Sequence, residues 1–197
     1  MAMTETRPAP EDAPEGVAGA QPMPVPADPP GLAGWVSTSD HKRVGRLFVA
    51  TSLLFLLLGA VLTALVAAEG TASGLDIFDQ GGFGQVLNLS TESLALLFLA
   101  PMFLGIATFV VPLQVGSAEI AFPRGSATAY WLYLVSAAVT VGAYIADGGQ
   151  TGGSEAAVDL WLLGLVGVVL ALVIGLVSVC TTVLTMRVGG MSLLRAP

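Results

Sequence analysis

The chain of 197 residues has one histidine, His41, and one cysteine, Cys180. Metal chemistry needs several nitrogen or sulfur donors that converge; a structural zinc takes four. One imidazole and one thiol build neither a zinc site nor a thiolate pair, and a lone cysteine closes no intrachain disulfide. Cys180 lies in an apolar run and reads as a small hydrophobe. His41 lies in Ser39-Asp40-His41-Lys42-Arg43, just ahead of another apolar run, where a water-exposed or capping role is expected. Asp40 and Ser39 have the side chains that accept free backbone N–H groups at a helix start. Glu69, Glu92 and Glu119 are carboxylates close to the ends of apolar runs. Glu92 is expected in the first turn of a helix, where the macrodipole favours an acid by roughly 0.3–1 kcal/mol. Glu119 precedes Arg124 and reads as a solvated loop acid. No nucleophile–base pair is visible within the apolar runs. A charge at a membrane helix centre costs roughly 2.5–3.5 kcal/mol, and pumps and channels keep a few as functional exceptions. Their near absence here argues against a transporter.

The elements that must carry these residues follow from composition. Apolar residues make up 54% and charged residues 11%, which excludes an ordinary soluble domain. Four runs reach the roughly 20 residues that a helix needs to cross the hydrocarbon core: about 47–68, 93–115, 127–146 and 160–186. Backbone polar groups in lipid must be satisfied within the segment, so the expected fold is all-α and integral to the membrane. Between the spans, 69–92 is expected as a long Gly-rich loop and 147–157 as a flexible one. Neither has the strand–helix context of a phosphate cradle. Residues 1–34 hold eight of the twelve prolines and five acids, and read as an extended tail rather than a secretory signal or transit peptide. The four-helix domain then covers 35–197.

Charge sets the expected orientation. The net charge is −7, but all seven basic residues (Arg7, Lys42, Arg43, Arg46, Arg124, Arg187 and Arg195) fall on one side of a four-span chain. Glu69, Asp76, Asp79, Asp147 and Glu155 occupy the other side. The positive-inside rule puts the basic side, and with it both termini, in the cytoplasm. No basic patch of the kind that holds nucleic acid is present. Gly59, Ala60 and Ala64 in the first span, Gly105 and Ala107 in the second, and Gly164, Gly167 and Gly175 in the fourth are expected to let helices approach closely. Tyr130, Trp131 and Trp161 near span ends are expected in interface belts.

Several stretches, in order and at matching spacing, resemble one family. Trp35 to Leu47 (WVSTSDHKRVGRL) resembles the start of helix I of subunit I of the haem–copper cytochrome c oxidases. Pro101 to Arg124 (PMFLGIATFVVPLQVGSAEIAFPR) is similar to the end of that subunit's helix II and the loop after it. Asp159 to Leu165 and Thr181 to Leu193 resemble the two ends of helix IV. The resemblance implies that the chain corresponds to helices I–IV of a twelve-helix subunit.

Carried over residue by residue, it also implies what is missing. The family's helix II opens with His-Gly-Thr-x-Met, whose imidazole is an axial ligand of the low-spin haem. Counting back from Pro101 places Ser90-Thr91-Glu92-Ser93-Leu94 there, so Ser90 holds the ligand position. A hydroxyl is a poor haem ligand where imidazole is a good one. The family's Arg-x-Glu at the outer end of helix I becomes Ala67-Ala68-Glu69, which loses the arginine that bonds the haem formyl group. Glu69 resembles a carboxylate near a non-redox cation site, but no metal is expected on it alone. Glu119 replaces the aspartate that opens a proton-uptake channel, and Thr108, Ser126 and Ala127 take the places of its asparagines. Alanine supplies neither donor nor acceptor to a water chain, so Glu119 is at most a remnant of proton entry.

The resemblance therefore implies a protein with no catalytic residue, no cofactor, no metal and no small-molecule substrate of its own. The expected function is a non-catalytic accessory subunit of an aa3-type cytochrome c oxidase or respiratory supercomplex in a bacterial cell membrane. Its expected partners are oxidase subunits, other respiratory-complex subunits and the lipid bilayer. The alternatives are a transient assembly factor for subunit I and one half of a split catalytic subunit I.

Overall fold

The computed structural model describes residues 31, 34–35, 37–71 and 77–189. Most of the tail read over 1–34, Asp76 and the stretch after Gly189 lie outside the described residues. Within them the fold is all-helical, and four helical segments are long and apolar enough to cross a membrane.

Helix α1 runs His41–Thr71, 31 residues, or about 46 Å at 1.5 Å per residue. Its start is capped by Asp40, whose Oδ1 accepts the backbone N–H of Lys42 at 3.0 Å. Thr38 Oγ1 accepts the N–H of Asp40 in turn. His41, Val44, Gly45, Phe48, Thr51, Ser52 and Gly59 form the buried stripe of α1 at helical spacing. Leu53, Leu54, Leu57 and Val61 face outward. A helix apolar on its outer face as well as its inner one is what lipid requires.

The second span differs from expectation. Helix α2 (Gln80–Glu92), a π-helical segment (Ser93–Leu99) and α3 (Ala100–Gln114) follow one another, and Gly81–Gln114 makes a continuous 34-residue candidate span. The stretch read as the second half of a Gly-rich loop is therefore helix. Glycine is a poor helix former, but Asp79 caps this start by accepting the N–H of Gly82 at 2.8 Å. Tertiary bonds hold the helix in place: Gln85 donates to Asp147 at 3.2 Å and Asn88 to Thr151 at 3.4 Å. The wide turns ahead of Pro101 have a cause. Proline has no N–H, so the carbonyl of Leu97 loses its i→i−4 donor. Tyr133 Oη donates to that carbonyl at 2.6 Å instead.

Helix α4 spans Pro123–Ile145 and α5 spans Glu155–Thr185. Pro123 at the first turn of α4 is pre-set for helix, and Glu155 opens α5 where an acid suits the dipole. The loop expected to be flexible is tied down: Asp147 accepts N–H groups of Gly153 through its side chain and of Ser154 through its carbonyl.

α4 packs along α5, and α1 along the second span. Phe48 stacks on Tyr133 with centroids 5.6 Å apart and meets Tyr130 edge-on at 5.3 Å. Tyr130 and Trp161, expected in interface belts, are buried instead. A polar partner inside the bundle explains each: Tyr130 Oη lies 3.1 Å from Thr51 Oγ1, and Trp161 donates to Glu92. The small residues divide likewise. Gly59, Gly105, Gly164, Gly167 and Gly175 all sit where an added Cβ would strike a neighbouring helix, whereas Ala60 and Ala64 point outward.

Lys42, Arg43 and Arg46, at the start of α1, share one end of the bundle with Arg124 and Arg187. That end is closed by two bonds: Ala121 N–H donates to Thr182 Oγ1 at 2.9 Å, and Val188 N–H to the Val115 carbonyl at 3.1 Å. Glu69, Asp79, Asp147 and Glu155 lie at the other end.

Candidate functional site

Ser90 lies in the last turn of α2 and is 3% exposed. Its hydroxyl donates to the Leu87 carbonyl at 2.8 Å, so its one proton is already committed to its own helix. Around it the bundle is closed by direct packing. An added Cβ on Gly59 of α1 would fall 2.7 Å from Leu94 Cγ and 3.3 Å from Ser93 Cβ. Ser93 is fully buried.

Glu92 is half-buried at the C-terminal end of α2, not in the first turn of a helix. The helix starts twelve residues earlier, at Gln80, so the dipole reading of Glu92 falls. Both of its carboxylate oxygens accept Trp161 Nε1–H, at 3.1 and 3.2 Å. A carboxylate on the second span is thereby tied to α5. This pairing was not read from the sequence; an acid two residues past Ser90, with an indole near the start of a later span, was its only signal.

Haem iron is held by an imidazole, a thiolate, a thioether or a phenolate. The donor does not fit: Ser90, at the position the resemblance gives to the ligand, offers a hydroxyl already bonded to the Leu87 carbonyl. Ala67, at the position of the formyl-bonding arginine, is exposed near the end of α1. Its carbonyl accepts the Thr71 hydroxyl at 2.8 Å. Glu69 is half-buried, with Oε2 lacking a hydrogen-bond partner.

At the basic end, Glu119 is exposed in the connection between α3 and α4 and shares the lining of a groove with Arg124, as a solvated loop acid does. Thr108 and Ser126 are buried with hydroxyls that lack partners, and Ala127 is half-buried. Two of the three positions that the resemblance gives to asparagines thus carry polar side chains. His41 corrects the sequence reading. It is 4% exposed rather than in water. Nδ1 lies 3.7 Å from Asp40 Oδ1, and Nε2 is buried without a partner. The connection after α3 folds back beside the start of α1, anchored by buried Ile120, so His41, Glu119 and Ile120 line one polar cavity of about 350 Å³. Cys180 is exposed on α5.

Similarity to known proteins covers most of the chain. The family model described as cytochrome c and quinol oxidase polypeptide I matches residues 43–197. A probable cytochrome c oxidase subunit 1-alpha of Streptomyces avermitilis is 33% identical over 93% of this chain and 35% of its own length. The cytochrome c oxidase subunit 1 of Corynebacterium glutamicum is 28% identical over 92% of this chain and 34% of its own. The chain spans about a third of the length of the curated relatives it matches.

Proposed function

The chain belongs to the cytochrome c and quinol oxidase polypeptide I family, and from that premise we propose that it is a haem-free accessory subunit of a cytochrome c oxidase or of a larger respiratory assembly. It supports assembly or stability there and carries no catalytic residue of its own. The observation behind this reading is Ser90. Whatever follows Pro197, the second span offers iron a hydroxyl that already bonds Leu87, and a hydroxyl does not replace imidazole at a haem. The loss of arginine at Ala67 points the same way. Glu119 is then a remnant of proton entry rather than a working donor.

The four apolar helices make this a multi-pass membrane protein, and the relatives from Streptomyces and Corynebacterium support a bacterial cell membrane. Residues 35–197 form the membrane domain, with the acidic, Pro-rich 1–34 as a tail on the cytoplasmic side under the positive-inside rule. The outward apolar faces of α1 and α5 meet lipid and neighbouring subunits. The test is affinity purification of the tagged full chain from its own membranes in mild detergent. Oxidase subunits at fixed stoichiometry through stringent washing are the expected result. Their recovery only from immature complexes makes the chain an assembly factor instead. Recovery with only the missing remainder of a subunit I makes it a split catalytic half.

A further inference from the structure

A groove of about 410 Å³ runs between α1 and α3 at the basic end of the bundle. Its origin is a backbone contact. Gly45 and Gly105 face each other so closely that an added Cβ on Gly45 would lie 2.8 Å from the Gly105 carbonyl oxygen. Two helices that touch at their backbones leave an open valley on the outer flank. Val49, Ala50, Leu53, Ile106 and Val110 make its walls, all apolar. From Arg46 to Leu53 it runs about 10 Å along α1, at 1.5 Å per residue, inward from the charged end.

The valley has a cation at its mouth. Arg46 is exposed, and its guanidinium carbon sits 5.8 Å from the centre of the Phe109 ring. Among the described residues, no carboxylate lies within ion-pair distance of Arg46. Lys42, one turn back, is exposed on the same face of α1. A guanidinium held by an aromatic ring at the end of an apolar channel matches an amphiphile with an anionic head and a hydrocarbon tail. Its fork of N–H donors suits phosphate oxygens.

We propose that this groove holds one anionic phospholipid, its acyl chain lying along Ala50 and Ile106 and its phosphate meeting Arg46 with Lys42 beside it. The charge decides for lipid over a partner helix: a transmembrane helix fills an apolar valley but leaves Arg46 without a counter-charge. The site is independent of the haem question, since neither Ser90 nor Ala67 lines it.

The test is native mass spectrometry of the full chain in detergent, titrated with phosphatidylglycerol or phosphatidylcholine of equal chain length. One phosphatidylglycerol is retained in preference to phosphatidylcholine. Arg46→Gln weakens that retention about fivefold and Lys42→Gln/Arg46→Gln about twenty-five-fold, from roughly 1 kcal/mol per basic residue near an anionic headgroup. Arg124→Gln, away from the groove, leaves it unchanged. Ala50→Phe fills the valley and lowers retention with the charge intact. Ile106→Phe repeats that test from the opposite wall, and a melting curve confirms that each variant is folded. Equal retention of the two lipids overturns the proposal. So does Arg124→Gln weakening binding as much as Arg46→Gln, or both phenylalanine variants binding normally. Density for a protein helix seated in the valley of the native complex also overturns it.

Discussion

Tyr133→Phe isolates the contact that makes the broken second span possible. Pro101 deprives the Leu97 carbonyl of its helical donor, and the Tyr133 hydroxyl replaces that donor at 2.6 Å. Leu97 and Tyr133 are both fully buried, so water does not take over when the hydroxyl is removed. Interhelical hydrogen bonds in membranes average about 0.6 kcal/mol and reach about 1.7. An orphaned buried acceptor costs about 1–3 kcal/mol. The expected loss is therefore about 1–2 kcal/mol. The cause can be separated from general damage by a double-mutant cycle. Pro101→Ala restores an N–H that can reach Leu97, so Tyr133→Phe in that background is expected to cost less than about 0.5 kcal/mol. The coupling is then about 1 kcal/mol, well above the usual error of additivity. Equilibrium unfolding in mixed detergent micelles, followed by helical circular dichroism, measures all four corners. Equal cost of Tyr133→Phe in both backgrounds refutes the assignment of Tyr133 as the proline's substitute donor.

Other perturbations separate packing from polar effects. Gly105→Ala places a Cβ 2.7 Å from Phe48 Cβ and 3.0 Å from the Gly45 carbonyl oxygen, so it should destabilise by about 1–3 kcal/mol by overpacking. Gly142→Ala, with nothing within 4 Å of the added carbon, should stabilise by about 0.5–1 kcal/mol through helix propensity; the same unfolding assay reads both. Trp161→Phe removes the indole donor to both oxygens of Glu92 and should cost about 1–2 kcal/mol, while Glu92→Gln keeps an acceptor and should cost less. Thr182→Val removes the hydroxyl that accepts Ala121 N–H, so the exchange of that amide with deuterated solvent should accelerate by about fivefold or more, leaving the opposite end unchanged.

The spans were legible because lipid demands apolar runs about 20 residues long, and the chain has four of them. Their contents were legible only where a rule has one outcome. Gly59, Gly105 and Gly175 read correctly as close-approach points, whereas Ala60 and Ala64 fit the same pattern and point to lipid, since composition does not say which face of α1 meets α3. The start of the second span was hidden by glycines at 81, 82 and 84, whose low propensity outweighed the Asp79 cap in the reading and is outweighed by it in the fold. Glu92 inherited that error. Tyr130 and Trp161 read as belt residues because sequence gives depth but not direction; Thr51 and Glu92 draw them inward. His41 reads as solvated because its neighbours are charged. The cavity it lines is shared with Ile120, seventy-nine positions later in the sequence, and no local pattern carries that juxtaposition. Ser90 is different. The resemblance, counted back from Pro101, assigns it the ligand position, and the structure adds that its hydroxyl is turned back onto Leu87.

The central claim is that this chain contributes no ligand to haem iron. The most direct measurement is pyridine haemochrome quantitation and visible spectroscopy of the tagged full chain, purified from its own membranes and then separated from its partners by stronger detergent. The account predicts that all porphyrin leaves with the partner subunits and that the isolated chain shows no Soret absorption. A stoichiometric porphyrin that stays with this chain, with its iron coordinated by any of its side chains, contradicts it.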